Sequence, residues 1–145
     1  MFADLFLAVV HHLLAFSILG LLAAEVALLR PGISGERLSL LARLDGLYGM
    51  AAMALVAVGI GRLLWGLKGW EYYLASGSFW AKMTFFAAVG IVSIQPTRKI
   101  VGWRRSARTA PDLAPSDSEI AGIRRLVVAE LALFAFIPFF AAMMA

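Results

Sequence analysis

Cysteine is absent from these 145 residues, which excludes disulfides, thiolate metal sites, iron-sulfur clusters and cysteine nucleophiles together. Histidine is scarce: the two present are neighbours, His11 and His12. Charge is also thin, at 15% of residues against 62% apolar. With a mean hydropathy of +0.87, the chain holds more apolar surface than a soluble core of this size can hide, so the bilayer is its solvent. No basic side chain precedes Arg30; the first apolar stretch therefore lacks the charged start of a signal peptide and reads as a span that stays in place. Nucleotide-binding glycine loops, metalloprotease helices and serine elbows are missing as well.

What is present is four long apolar runs. A hydrocarbon core about 30 Å thick takes roughly 20 residues of helix, and the windows about 4–29, 38–64, 79–101 and 120–144 qualify. The expected fold is an all-α membrane protein, an antiparallel four-helix transmembrane bundle forming one domain over residues 1–145. Of the 13 Lys and Arg residues, ten lie around the first and third breaks between spans. Positively charged loops stay in the cytoplasm, so both termini are expected to face outward, which for a bacterial inner membrane is the periplasm. The net charge of +4 is accounted for by topology and lipid headgroups, and nucleic acid is not an expected partner.

The connections differ in character. Pro31 and Gly32 end the first helix in a tight hairpin. The connection of residues 65–78 carries Trp65, Trp70, Tyr72 and Tyr73, with Phe79 and Trp80 just beyond, the aromatic belt of an interface, and is expected to lie on the outer surface. Residues 107–118 form a polar loop with Pro111 and Pro115, and Ser116 with Glu119 spells a capping box that opens the fourth helix. Pro96 is expected to disturb the third helix near its inner end, after which Thr97 to Arg105 runs along the headgroups.

Ionisable groups inside spans cost roughly 2.5 to 3.5 kcal/mol each on insertion scales, so those present need a reason. Asp4, His11, Ile18 and Glu25 recur every seven residues and share one helix face, which points inward. In the outer half, His11 and His12, Lys82 and Glu130 are expected to converge on one pocket. In the inner half, Glu25, Arg43 and Asp45 are expected to form a structural ion network. Tyr48 reads as core, and Gly49, Gly59, Gly61 and Gly90 as sites of close helix approach.

An imidazole aimed into an antiparallel bundle is a recurrent way to hold haem. Several short motifs sharpen that idea: His12-Leu-Leu-Ala-Phe in the first span, Glu36-Arg37-Leu38 and Arg43, Gly59, and Trp80-Ala-Lys82. Together they resemble the pattern of HemJ-type protoporphyrinogen oxidases, four-span proteins of the bacterial inner membrane. That resemblance implies haem b and porphyrinogen oxidation, with His12 and Lys82 at the positions of the family's helix-one histidine and helix-three lysine. A second likeness covers nearly the whole chain. Asp45-Gly-Leu-Tyr48-Gly, Gly61-Arg62, Phe79-Trp-Ala-Lys82, Gln95-Pro96-Thr97 and Trp103-Arg104 resemble a family of small bacterial membrane proteins classed only as a domain of unknown function.

Three functional readings follow. In the first, an oxidoreductase or porphyrin handler, His12 or His11 ligates haem iron, with His12 favoured by the motif and His11 by the helix face. Lys82 then meets propionates or substrate carboxylates, Glu130 or Glu25 manages protons, and the iron is five-coordinate, methionine-ligated or completed across a homo-oligomer. The second is a small proton-linked permease. The third is a non-catalytic protein that assembles with a partner, its charges being structural.

Overall fold

In a computed structural model that describes residues 2–112 and 114–143, the chain forms five helices: α1 (Phe2–Leu28), α2 (Gly35–Trp65), α3 (Gly69–Leu74), α4 (Gly77–Thr109) and α5 (Asp117–Ala142). All but the short α3 are long and apolar enough to cross a bilayer. α1 pairs with α2 and α4 with α5 as two hairpins. The ring is closed by an α1–α5 seam and an α2–α4 seam, both less extensive, and α3 bridges the ends of α2 and α4. The start of α1, the end of α5 and α3 thus share one end of the bundle, hereafter the α3 end. The 29–34 and 110–116 connections share the other, the basic end.

The distribution of side chains is that of a lipid-solvated bundle. Met53 and Ile91 are 74% and 70% exposed, which water would penalise and hydrocarbon does not. Inside lies a thin apolar core that includes Ile18, Leu22, Leu41, Val127 and Phe134. Three carboxylates accompany them, Glu25, Asp45 and Glu130, each at most 5% exposed.

Helix ends follow their local chemistry. Past α1 the turn is closed by the Ile33 amide donating to the Arg30 carbonyl at 3.2 Å. Gly32 sits there at φ +81°, a left-handed conformation that costs a side chain-bearing residue about 1 kcal/mol or more. α5 opens with the complete capping box: the Glu119 amide donates to Ser116 Oγ at 3.3 Å, and the Ser116 amide to the Glu119 carboxylate at 3.4 Å. Ser116→Ala is expected to lower stability by about 1 kcal/mol, read as an earlier midpoint on SDS titration in mixed micelles.

α4 departs from expectation. The segment after Pro96 is not a separate stretch along the headgroups: the helix runs on to Thr109, with Pro96 buried in its interior. At 1.5 Å per residue its 33 residues extend about 50 Å, against a hydrocarbon core of about 30 Å. The segment Thr97 to Arg105 is therefore a continuation of the spanning helix, and its last turns stand beyond the apolar layer. There Lys99 pairs with Glu119 of α5 at 3.4 Å.

Candidate functional site

Two polar layers occupy the interior, separated along the bundle axis. Glu25 lies fourteen residues beyond His11 on α1, or about 21 Å at helical rise. Asp4, His11, Ile18 and Glu25 do share the inward face: Ile18 and Glu25 are buried, while Asp4 and His11 are half-buried.

Toward the α3 end, a cavity of about 500 Å³ is lined by His11, His12, Arg62, Lys68, Tyr73 and Lys82 above apolar walls that include Leu55, Phe134 and Ile137. That volume is in the range of pockets that bury a drug-sized ligand. Five elements build it, with Phe134 and Ile137 coming from α5. α1 supplies the imidazoles and α2 supplies Arg62. Lys68 and Tyr73 come from α3 and its N-cap, and Lys82 from the second turn of α4. Gly59 of α2 lies against the His11 ring, where a Cβ would make an ordinary van der Waals contact of 3.7 Å with His11 Cε1.

The two histidines are held differently. His12 is exposed, and its Nδ1 bonds the Ala8 carbonyl at 2.7 Å. Donation from Nδ1 leaves the Nε2 lone pair free, the tautomer that a metal-binding imidazole needs. His11 is half-buried, and its Nδ1 has no protein partner. Its ring meets that of His12 edge-on, with centroids 6.1 Å apart. Arg62 Nε is likewise buried without a partner, and Lys82 Nζ rests 5.6 Å from the centroid of the Phe79 ring. Chemically, such an arrangement of cations and unpartnered buried nitrogens can accommodate an anionic group with an apolar body.

Nearer the basic end, polar groups from all four long helices meet at the centre. The Thr97 hydroxyl of α4 donates to Asp45 Oδ1 of α2 at 2.9 Å. The Tyr48 hydroxyl of α2 donates to the Glu130 carboxyl of α5 and lies beside Ser93 of α4. Glu25 of α1 completes the group, close enough to Asp45 and Glu130 for their charges to act on it, and its Oε1 has no partner. No ion pair among the described residues reaches these acids. A shallow groove of about 490 Å³ along the α2–α4 seam opens onto Asp45 and Tyr48.

This geometry corrects several expectations. Glu130 does not join Lys82 and the histidines. Helical side chains lean toward the N-terminus of their own helix; α4 starts at the α3 end and α5 at the basic end, so Lys82 and Glu130 lean apart. Nor does Arg43 complete a network with Glu25 and Asp45. Residues two apart on a helix face nearly opposite ways, so Asp45 turns inward while Arg43 is exposed. Tyr48, read as core, is the donor to Glu130. Its spacing of three from Asp45, on one helix face, was the available signal. Gly49 and Gly90 have no atom within 4 Å of a Cβ built on them; they face the α2–α4 groove and not a tight helix crossing. Arg62, marked in the sequence only within the Gly61-Arg62 motif, also lines the α3-end cavity.

The chain belongs to the family described as "Predicted membrane protein (DUF2214)", which matches it over residues 3–145. No curated protein and no solved structure matches it. It is accordingly a multi-pass membrane protein built on four spanning helices.

Proposed function

We propose that this chain is a haem- or porphyrin-binding redox protein of the bacterial inner membrane, with both termini and the α3-end pocket facing the periplasm. The observation that carries the reading is the convergence, in one cavity, of two imidazoles with the cations Arg62, Lys68 and Lys82 over apolar walls. A tetrapyrrole presents that combination in reverse: a flat apolar disc, a metal or ring-nitrogen centre, and carboxylates at one edge.

The residues fit such a group. His12, its tautomer set by Ala8, would ligate the iron in this reading. His11 lies beside it with an unused buried nitrogen, suited to hydrogen bonding at the pocket wall. Lys82 and Arg62 would hold the carboxylates, where charge-assisted bonds are strongest because the surroundings are apolar. Bound haem supplies one-electron redox chemistry of its own. Glu130 stands one helical turn from Phe134, which floors the pocket, and with Tyr48, Asp45 and Glu25 it exchanges protons on the far side of that floor. Periplasmic termini are supported by the basic end, where Arg30, Arg37, Arg104 and Arg108 lie.

The test is a visible spectrum of protein produced with ample haem precursor. A Soret band is expected in the wild type. His12→Ala should remove most of it, while His11→Ala should retain most of the band and shift its position. A colourless wild type that stays colourless on addition of haemin overturns the reading and leaves a non-catalytic assembly role. Equal retention in both single variants overturns the assignment of the ligand.

A further inference from the structure

The arginine that failed to pair with the buried acids has another setting. Arg43 of α2 lines a cavity of about 730 Å³ at the basic end, together with Arg104 and Arg108 of α4. The first turns of α2 close one side with Gly35, Glu36 and Ser39; Leu38 and Leu40 give it an apolar flank. Nothing in the haem reading uses this cavity.

Three guanidinium groups from two helices facing one space repel each other unless an anion sits among them. Arg43 and Arg104 are drawn from opposite ends of the sequence pattern, eight residues into α2 and five from the end of α4. Their meeting is a product of the fold. One carboxylate, Glu36, shares the lining, and the only ion pair among the described residues, Lys99 with Glu119, lies elsewhere. α2 also directs its free first-turn amides toward this end, adding positive potential. The exposed Leu40 beside the arginines continues the cavity onto the lipid-facing surface of α2.

We propose that this cavity is a binding site for a phosphate ester, and that the ester is the headgroup of an anionic lipid. Guanidinium groups bind phosphate oxygens in bidentate fashion, and basic pockets between helices at this depth suit anionic headgroups. The apolar flank is what separates a lipid from a free ion: an acyl chain leaving the phosphate can follow Leu40 into the bilayer.

The experiment titrates short-chain phosphatidylglycerol into the full chain in neutral detergent by calorimetry, with short-chain phosphatidylcholine and inorganic phosphate as separate probes. Phosphatidylglycerol is expected to bind well above phosphatidylcholine. Arg43→Gln, Arg104→Gln and Arg108→Gln combined should weaken it roughly a hundredfold. The same positions changed to Lys should recover part of the loss and show that the fold survives. Neutralising Arg98, Arg105 and Arg125, which lie outside the cavity, should leave affinity within about threefold, as expected when a charge is screened over a Debye length. Inorganic phosphate that binds as tightly as the lipid and displaces it would support the phosphate site and overturn the lipid as its source. Equal losses from the two triple neutralisations would overturn the site, since net charge alone would then explain binding, and so would wild-type affinity in the Gln variant. The Soret band should be unchanged in all of these variants, so failure here is separable from failure of the haem reading.

Discussion

Phe134→Ala should lower the stability of the bundle by about 3 to 5 kcal/mol and open its interior from end to end. The ring is 1% exposed and is the one large side chain that lines both the α3-end pocket and the α2–α4 groove. Truncation removes its packing and leaves a void that two helical hairpins cannot close without shifting their seams. The two cavities would then join, and the acid cluster would face the pocket directly. SDS or urea unfolding in mixed micelles measures the first effect. The second is read with Cys introduced at Asp45 in an otherwise cysteine-free chain: labelling by a polar maleimide should rise at least several-fold when Phe134 is truncated. Unchanged labelling together with a stability loss under about 1 kcal/mol would mean that Phe134 is not a partition.

The second large effect concerns the Tyr48–Glu130 bond. Tyr48→Phe leaves the Glu130 carboxyl without its donor, and Glu130→Leu leaves the Tyr48 hydroxyl without its acceptor. Each single change should cost about 1 to 2 kcal/mol, because a buried polar group stripped of its partner keeps its desolvation penalty. The double variant should be no worse than either single, and close to wild type, because replacing both partners by apolar groups of similar shape removes the penalty with the bond. A thermodynamic cycle of four unfolding titrations tests this. Additive losses would show that the two side chains act independently.

Much of the fold was legible in the chain because each signal was local. Runs of about 20 apolar residues, the Pro31-Gly32 stop and the Ser116-to-Glu119 capping box depend on spacing within one helix, and the helices follow them. At Pro96 the chain shows only that one backbone donor is lost; that the helix continues to Thr109 depends on tertiary packing around the proline, which is buried, and on how the freed carbonyl is satisfied. The site was legible only in parts. The seven-residue recurrence from Asp4 to Glu25 places one face of α1, and the structure brings His11, His12 and Lys82 to one cavity. Which layer Glu130 enters depends on the direction in which α5 runs relative to its neighbours, and on the lean of its side chain. Depth along the axis alone puts it midway. The Arg43 pairing failed on a rule that was available, since positions 43 and 45 cannot face the same partner from one helix. The meeting of Arg43 with Arg104 and Arg108 had no sequence signal, being made by the α2–α4 seam.

That seam has a further consequence. It opens sideways, between Gly49 and Gly90, onto the surface that hydrocarbon covers. A molecule approaching Asp45 and Tyr48 by this route is first sorted by how well it dissolves in oil, and its supply follows its membrane partition coefficient more than its aqueous dose. Hydrophilic solutes are filtered out before any side chain recognises them.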